Sequence, residues 1–332
     1  LAASDLTLVT GATGFVGAAV ARALAARGQK LRLMVRANSD RRNLANLQAD
    51  IVVADLANPA SLSAAVQGCR YLFHVAADYR LWVPNPAEMR RVNVDGTVAL
   101  LTAAHQAGVE RTVYTSSVAA LGLLPSGEPA DENTFVDEEL LIGAYKRSKY
   151  DAEQAVRTCV LQGQNIVIVN PSTPVGPGDI KPTPTGKMVL DAANGRMPAF
   201  VNTGLNVVHV DDVAQGHLLA LERGRVGESY ILGGENLMLK DFLRIIAAQT
   251  RRRAPTIRLP ITPLMPIAAA MEVIAGRTGR TPLMTREMLR MARKKMFFSS
   301  AKAIASLGYA PRPAREAVED ALDYFATQGL IK

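Results

Sequence analysis

Apolar residues in the first half of the chain fall in short blocks separated by longer amphipathic stretches. The first block, 6–10, reads LTLVT and has the Leu, Val and Thr content of a buried strand. Blocks at 31–36 (LRLMVR), 50–55 (DIVVAD), 71–75 (YLFHV), 112–116 (TVYTS) and 165–170 (NIVIVN) repeat it. Between them, helical patterns run to about residue 27 and over 60–67, 89–107 and 145–162. Short strands alternating with helices of this length predict right-handed crossovers and a parallel sheet covered on both faces. The fold class expected is therefore α/β, a doubly wound parallel sheet whose ligand sits beyond the strands' C-terminal ends.

Past residue 170 the texture changes. The stretch 171–198 is rich in Pro and Gly and reads as loops with one helix near 188–194. A strand at 206–210, a helix over 211–223 and a strand at 229–232 follow, then helices at 239–250, 285–294, 300–307 and 315–327. This predicts a sheet domain over 1–170 and a smaller, mostly helical lobe over 171–332, with 206–235 returning to the first domain.

Directly after the first strand come Gly11, Gly14 and Gly17, spaced by three and opening an alanine-rich helix. Gly11 suits a sharp turn, Gly14 a close approach of pyrophosphate, and Gly17 tight packing of helix on strand. The backbone N–H groups and the positive end of the helix dipole would hold the anion. Strand before and helix after make this a dinucleotide fingerprint, so 1–170 reads as a Rossmann domain.

Composition narrows the classes. Of 332 residues, 48% are hydrophobic and 20% charged, as in an ordinary globular protein. Two cysteines and four scattered histidines give no disulfide framework and no metal site. The first strand begins at residue 6, leaving no room before it for a signal peptide, and the apolar stretch 264–275 is too short to span a bilayer. A cytoplasmic protein is expected. The net charge of +8 is concentrated at 251–253 and 286–295 with no aromatic-rich basic module, which argues against nucleic acid. A basic 286–295 helix near the apolar 264–275 stretch suggests weak, salt-sensitive membrane contact.

Tyr145 and Lys149 lie four apart at the start of a predicted helix and so share a face. A phenol near its ordinary pKa of ~10 is a poor base at neutral pH, and a neighbouring ammonium lowers it. Ser116 and Ser117 end the fifth strand, at the edge where such a fold keeps its ligand. Serine, tyrosine and lysine converging on a nicotinamide would make a carbonyl–alcohol redox site.

The ordered motifs TGATGFVG, Asp55-Leu56, HVAA at 74–77, VNVDGT with Asn93, TSS at 115–117, YxxxK at 145–149 and HVDDVA at 209–214 resemble those of the extended short-chain dehydrogenase/reductases across nearly the whole chain. VAADYRLW at 75–82 and NPSTPVGPGD at 170–179 look closest to the hopanoid-associated sugar epimerases, which are similar to the dihydroflavonol 4-reductases. The resemblance implies Ser117, rather than Ser116, as catalytic serine, Tyr145 as acid/base, and Lys149 as the residue holding the ribose and lowering the phenol's pKa. It implies cofactor contacts at Gly11, Thr13, Gly14, Phe15, Val16, Asp55, Leu56, Ala76, Ala77, Pro171 and Ser172. Asn93, His209, Asp211 and Asp212 are read as structural, the Asp pair as a helix cap.

Substrate contacts are expected at Asp78, Tyr79, Arg80, Trp82 and Thr173. Nucleotide-sugar members usually carry asparagine where this chain has Thr173, three positions before Gly176-Pro177-Gly178, and PSTPVGP is nearer the reductase pattern. The leading expectation is an NAD(P)-dependent oxidoreductase acting on a small-molecule secondary alcohol or ketone. An epimerase using tightly bound NAD is the alternative, and a non-catalytic nucleotide sensor is disfavoured by the intact Ser117, Tyr145 and Lys149. Arg36 ends the second strand with no carboxylate until Asp40, so NADP is expected over NAD. The family often dimerises through helices that here would be 89–107 and 145–162.

Overall fold

The computed structural model describes residues 5–331 except 81, 82, 84, 139, 140, 142, 279–281 and 283, with 277 described in its backbone alone. Strands β1 (Leu6–Thr10), β2 (Lys30–Val35), β3 (Asp50–Val53), β4 (Cys69–His74), β5 (Arg111–Thr115) and β6 (Ile166–Pro171) form at the six apolar blocks. Helices α1 (Phe15–Ala26), α2 (Leu62–Val66), α3 (Pro86–Arg90), α4 (Gly96–Gln106) and α5 (Ala144–Leu161) run between them. The single helix expected over 89–107 is thus α3 and α4 joined by a π-helical turn at Arg91–Asp95.

The second half carries β7 (Thr173–Val175), α6 (Pro184–Ala193), β8 (Ala199–Val201), β9 (Gly204–His209), α7 (Val210–Arg223), β10 (Ser229–Leu232), β11 (Glu235–Met238) and α8 (Leu239–Gln249). It ends with β12 (Ile257–Leu259), α9 (Leu264–Thr278), α10 (Arg286–Met291), β13 (Lys295–Met296), α11 (Ala301–Leu307) and α12 (Ala314–Thr327).

Seven parallel strands in the order β3-β2-β1-β4-β5-β6-β10 make the main sheet. Successive residues feed opposite layers: Val9, Phe73, Val113 and Val167 join the core under α1 and α7, while Leu8, Leu72, Tyr114 and Ile166 join the core under α2, α4 and α5. Burial on both faces is why the inner strands read as unbroken apolar runs, while the edge strand β3 leaves Ile51 and Val53 exposed. The strand order reverses between β1 and β4, which opens a ligand crevice beyond their C-terminal ends.

The return to the first domain expected over 206–235 holds for α7, which packs on α1, and for β10, but β9 and β11 are not strands of the main sheet: β9 pairs with β7, β11 and β13, and β8 pairs with β12. A third core joins these strands to α6, α8 and α12. The lobe therefore holds two small sheets besides its helices. Its strands, two to six residues long, are mostly too short to show an alternating pattern.

Candidate active site

The turn after β1 is built by close approach. Gly11 has φ +69°, and a Cβ there would sit 2.8 Å from the Ala76 backbone. A Cβ on Gly17 would collide with the Gly11 carbonyl. Gly14 instead has extended geometry as the N-cap of α1, offers no capping side chain, and donates its N–H to the Gly11 carbonyl at 2.9 Å. The first turn of α1 thus presents its amides and its dipole to the cleft lined by Gly11, Thr13, Gly14, Phe15 and Val16.

Arg36 lies exposed on this cleft just past β2, and its N–H bonds the Ser39 hydroxyl at 3.2 Å. Asp40, the first carboxylate after Arg36 along the chain, is committed to Arg42 at 2.7 Å, and that hydrogen bond holds it down to about 2. Asp55 accepts the Ala57 N–H at 2.9 Å, closing a turn that sets buried Leu56 against the cleft. Ala76 and Ala77 line the opposite wall. Their loop is anchored by Thr10, whose Oγ1 accepts from the Val75 and Ala76 N–H groups, both at 3.1 Å.

Tyr145 and Lys149 project from the first turns of α5 toward the end of β5. The Ser117 hydroxyl accepts the Ala119 N–H at 3.1 Å and lies beside the Tyr145 phenol; burial pushes that phenol up while the serine works to lower it. Lys149 is 3% exposed, donates to the Thr115 carbonyl at 2.9 Å and lies 5.2 Å from the Tyr114 ring centroid. Burial brings its amine down to about 8, opposed by the Glu153 carboxylate, so it stays largely protonated at neutral pH. Ser116 is buried and donates to Glu153 at 2.6 Å instead of meeting the phenol. The structure thus brings Ser117, Tyr145 and Lys149 together and commits Ser116 elsewhere.

A polar layer behind these residues fixes them. Glu153, 3% exposed, accepts from Ser116, Asn170 at 2.9 Å and Arg157 at 2.7 Å. Asn170 also donates to the Ser117 carbonyl at 3.1 Å. Asn93, in the π turn, accepts the Asp78 N–H at 2.7 Å and donates to the Asp78 carbonyl at 2.8 Å and to Ser148 at 3.0 Å, a structural role. Buried His74 lies 2.9 Å from both Thr10 and Thr97. Because Thr10 Oγ1 already accepts two N–H groups, it donates to Nδ1, leaving the Nε2–H for Thr97.

The cleft has a volume of about 1480 Å³ and continues into the lobe. Asp78, Tyr79, Arg80 and Thr173 all line it, with Asp78 paired to Arg80 at 2.5 Å. Trp82 lies outside the described residues. Pro171 is buried at the end of β6, and the neighbouring Ser172 Oγ is buried without a hydrogen-bond partner among the described residues. The unmatched hydroxyl, the uncapped α1 terminus and the absence of space for a Cβ at Gly11 together fit a bound dinucleotide.

Two residues that pattern reasoning passed over also shape the cleft. Asn43 donates to the Gly178 carbonyl at 3.0 Å and the Thr13 carbonyl at 3.4 Å, tying the glycine turn to the lobe. Asp179 accepts from the Thr183 N–H and hydroxyl, both at 2.8 Å, and burial pushes it up to about 6. At α7 the capping acceptor is His209, which takes the Asp211 N–H at 3.0 Å; Asp212 pairs with Arg312 at 2.9 Å. The Asp pair expected as the cap therefore sits one step inside the helix. Among the described residues, no group of three or more His, Cys, Asp or Glu is placed to hold a metal ion.

A doubly wound sheet with a glycine turn and a Ser–Tyr–Lys cluster at the crevice defines an oxidoreductase of the short-chain dehydrogenase/reductase type. The chain belongs to the NAD dependent epimerase/dehydratase family, which it matches over residues 7–233. It is 46% identical to a Synechocystis protein named as a dihydroflavonol 4-reductase, over 100% of this chain and 98% of that one. It is 35% identical to sterol demethylase protein B of Methylococcus capsulatus, over 98% and 99% of the two chains. The crystal structure of gox2253 superposes with a TM-score of 0.90 at 57% identity, covering 99% of this chain and 100% of that one.

Proposed function

We propose that the protein is an NADP-dependent reductase interconverting a ketone and a secondary alcohol on a bulky, largely apolar substrate. The observation that carries the reading is the Ser117 hydroxyl set beside the Tyr145 phenol on the cleft, with buried Lys149 one turn further along α5. When bound, a reduced nicotinamide supplies the hydride that the carbonyl carbon accepts. Ser117 hydrogen-bonds the substrate oxygen, and Tyr145 gives that oxygen its proton as the C=O double bond becomes a C–OH group. Lys149 stabilises the phenolate left behind, which recovers its proton from solvent.

The substrate side of the cleft is lined by Met188, Met197, Phe200, Leu264, Met288 and Met291. Such a wall suits an apolar ring system better than a nucleotide-sugar, whose diphosphate needs fixed donors. Thr173, standing where nucleotide-sugar members usually have asparagine, points the same way, as does the sterol in the name of the Methylococcus relative.

NADP is favoured because Arg36 and Ser39 face the cleft while Asp40 is engaged by Arg42. A guanidinium matches a 2′-phosphate, and an engaged carboxylate neither grips ribose hydroxyls nor strongly repels phosphate. Titrating the purified protein with NADP and NAD tests this. Wild type binds NADP more tightly, and Arg36→Ala loses that preference; tighter NAD binding by wild type overturns the assignment.

A further inference from the structure

Helix α9 is apolar on its outer face. Its inward side packs small residues, with Ala268 and Ala275 buried, while Ile267, Val273 and Ile274 stand 48%, 57% and 60% exposed. Pro266 and Ala270 are exposed with them and fall on the same stripe at helical spacing. The helix's one acid, Glu272, turns the other way and binds the Arg286 backbone N–H and guanidinium, both at 2.7 Å. A surface helix ordinarily buries its branched side chains and shows its charges, so an inverted helix of this length marks a docking surface.

Charge identifies the occupant. Eleven Lys and Arg but only two Glu fall within 251–295, a balance of +9 where the whole chain carries +8. The rest of the molecule is therefore close to neutral. Arg251, Arg253 and Arg258 are exposed on the approach to α9, and Arg290 and Arg293 are exposed in and just after α10, which packs on α9. A second copy docked here would oppose two segments of the same charge. Among the described residues no helix is long and apolar enough to cross a membrane.

We infer that α9 lies on the surface of an anionic lipid bilayer, its Ile267–Ile274 stripe in the acyl boundary and the neighbouring arginines on lipid phosphates. Leu264 at the start of α9 and Leu259 at the end of β12 line the cleft, so the helix that meets the bilayer also walls the substrate space. Docking itself does not depend on the proposed reaction; only delivery of a lipid substrate through that wall rests on it.

The test is co-sedimentation of the full chain with vesicles of phosphatidylcholine alone or mixed with phosphatidylglycerol, at ~50 mM and ~500 mM salt. Wild type pellets with the phosphatidylglycerol vesicles at low salt, stays in solution with phosphatidylcholine alone, and is released at high salt. Ile267→Glu combined with Ile274→Glu weakens binding by about tenfold or more while thermal unfolding and cofactor affinity are unchanged. Wild type that stays in solution with every vesicle overturns the inference, as does a double variant that binds like wild type. Sedimentation equilibrium revealing a dimer that the double variant abolishes would assign the stripe to a second copy and also overturn it.

Discussion

Two adjacent serines carry opposite duties, and the difference lies in what each hydroxyl touches. Ser117 meets the Tyr145 phenol, while Ser116 is spent on buried Glu153. Ser117→Ala is expected to lower turnover by roughly 10²-fold or more, with about 0.5–2 kcal/mol of stability lost because its Oγ also caps the 118–120 turn by accepting the Ala119 N–H at 3.1 Å. Ser116→Ala leaves a carboxylate lone pair unmatched, costing about 1–3 kcal/mol of stability with turnover near wild type. Parallel denaturation and activity assays separate the two; equal loss of turnover in both would erase the distinction. Sequence adjacency alone could not divide these roles. Glu153, four residues after Lys149, reads as one half of an exposed helical ion pair, and only the packing of α5 on β5 and β6 shows it to be buried.

Titration also belongs to single residues. Burial brings His74 down to about 3 and His217 to about 4, both from 6.5. The unfolded chain takes up these protons first, so the stability they contribute is present above 6.5 and is lost as pH falls from there toward 4 and below. Asp179, raised by burial from 3.8 to about 6, has the opposite sign and adds stability as pH falls through 6 toward 3.8. Glu132 and Glu287, also raised by burial, act in the same direction as Asp179, and the two histidine shifts are the larger. Urea midpoints are therefore expected to fall between pH 7 and pH 4.5, and to fall further in Asp179→Asn; a midpoint independent of pH would contradict this balance.

Among the elements, what could be read in advance was what burial imposes uniformly. β1, β2, β4, β5 and β6 bury residues on both faces, so each leaves an apolar block, whereas the apolar block of β3 lies on the sheet edge with Ile51 and Val53 exposed; the glycine spacing announces the β1–α1 turn. The π turn at Arg91–Asp95 leaves no such mark, because the apolar periodicity continues through it, yet it aims Asn93 at Asp78 and Ser148. α9 is the reverse case: its apolar content is obvious in the sequence, but the exposure of its larger side chains is a fact of packing. The β1–α1 turn also makes a firm expectation. Gly17→Ala forces a methyl into the Gly11 carbonyl, costing about 1–3 kcal/mol and weakening cofactor binding with it. Unaltered thermal unfolding and unaltered cofactor titration in that variant would show the turn to be less tightly packed.

At the scale of the whole molecule, the cleft depends on two bodies of structure held in register. Asn43 bonds Gly178 and Thr13, and Arg312 on the lobe side pairs with Asp212 of α7. These ties set the apolar wall of Met188, Met197 and Met288 over the same cleft that Tyr145 faces. The lobe's shape was the least legible part, since short strands and loops rich in Pro and Gly give little periodicity. The central claim is net reduction of a carbonyl with Tyr145 as proton donor. It is tested most directly by incubating the protein with NADPH deuterated at the transferring C4 position and an apolar ring ketone, then weighing the product. Wild type should yield the alcohol with one deuterium on the carbinol carbon, and Tyr145→Phe essentially none. Wild type that leaves such ketones untouched while inverting a sugar carbon without net consumption of cofactor would contradict the account.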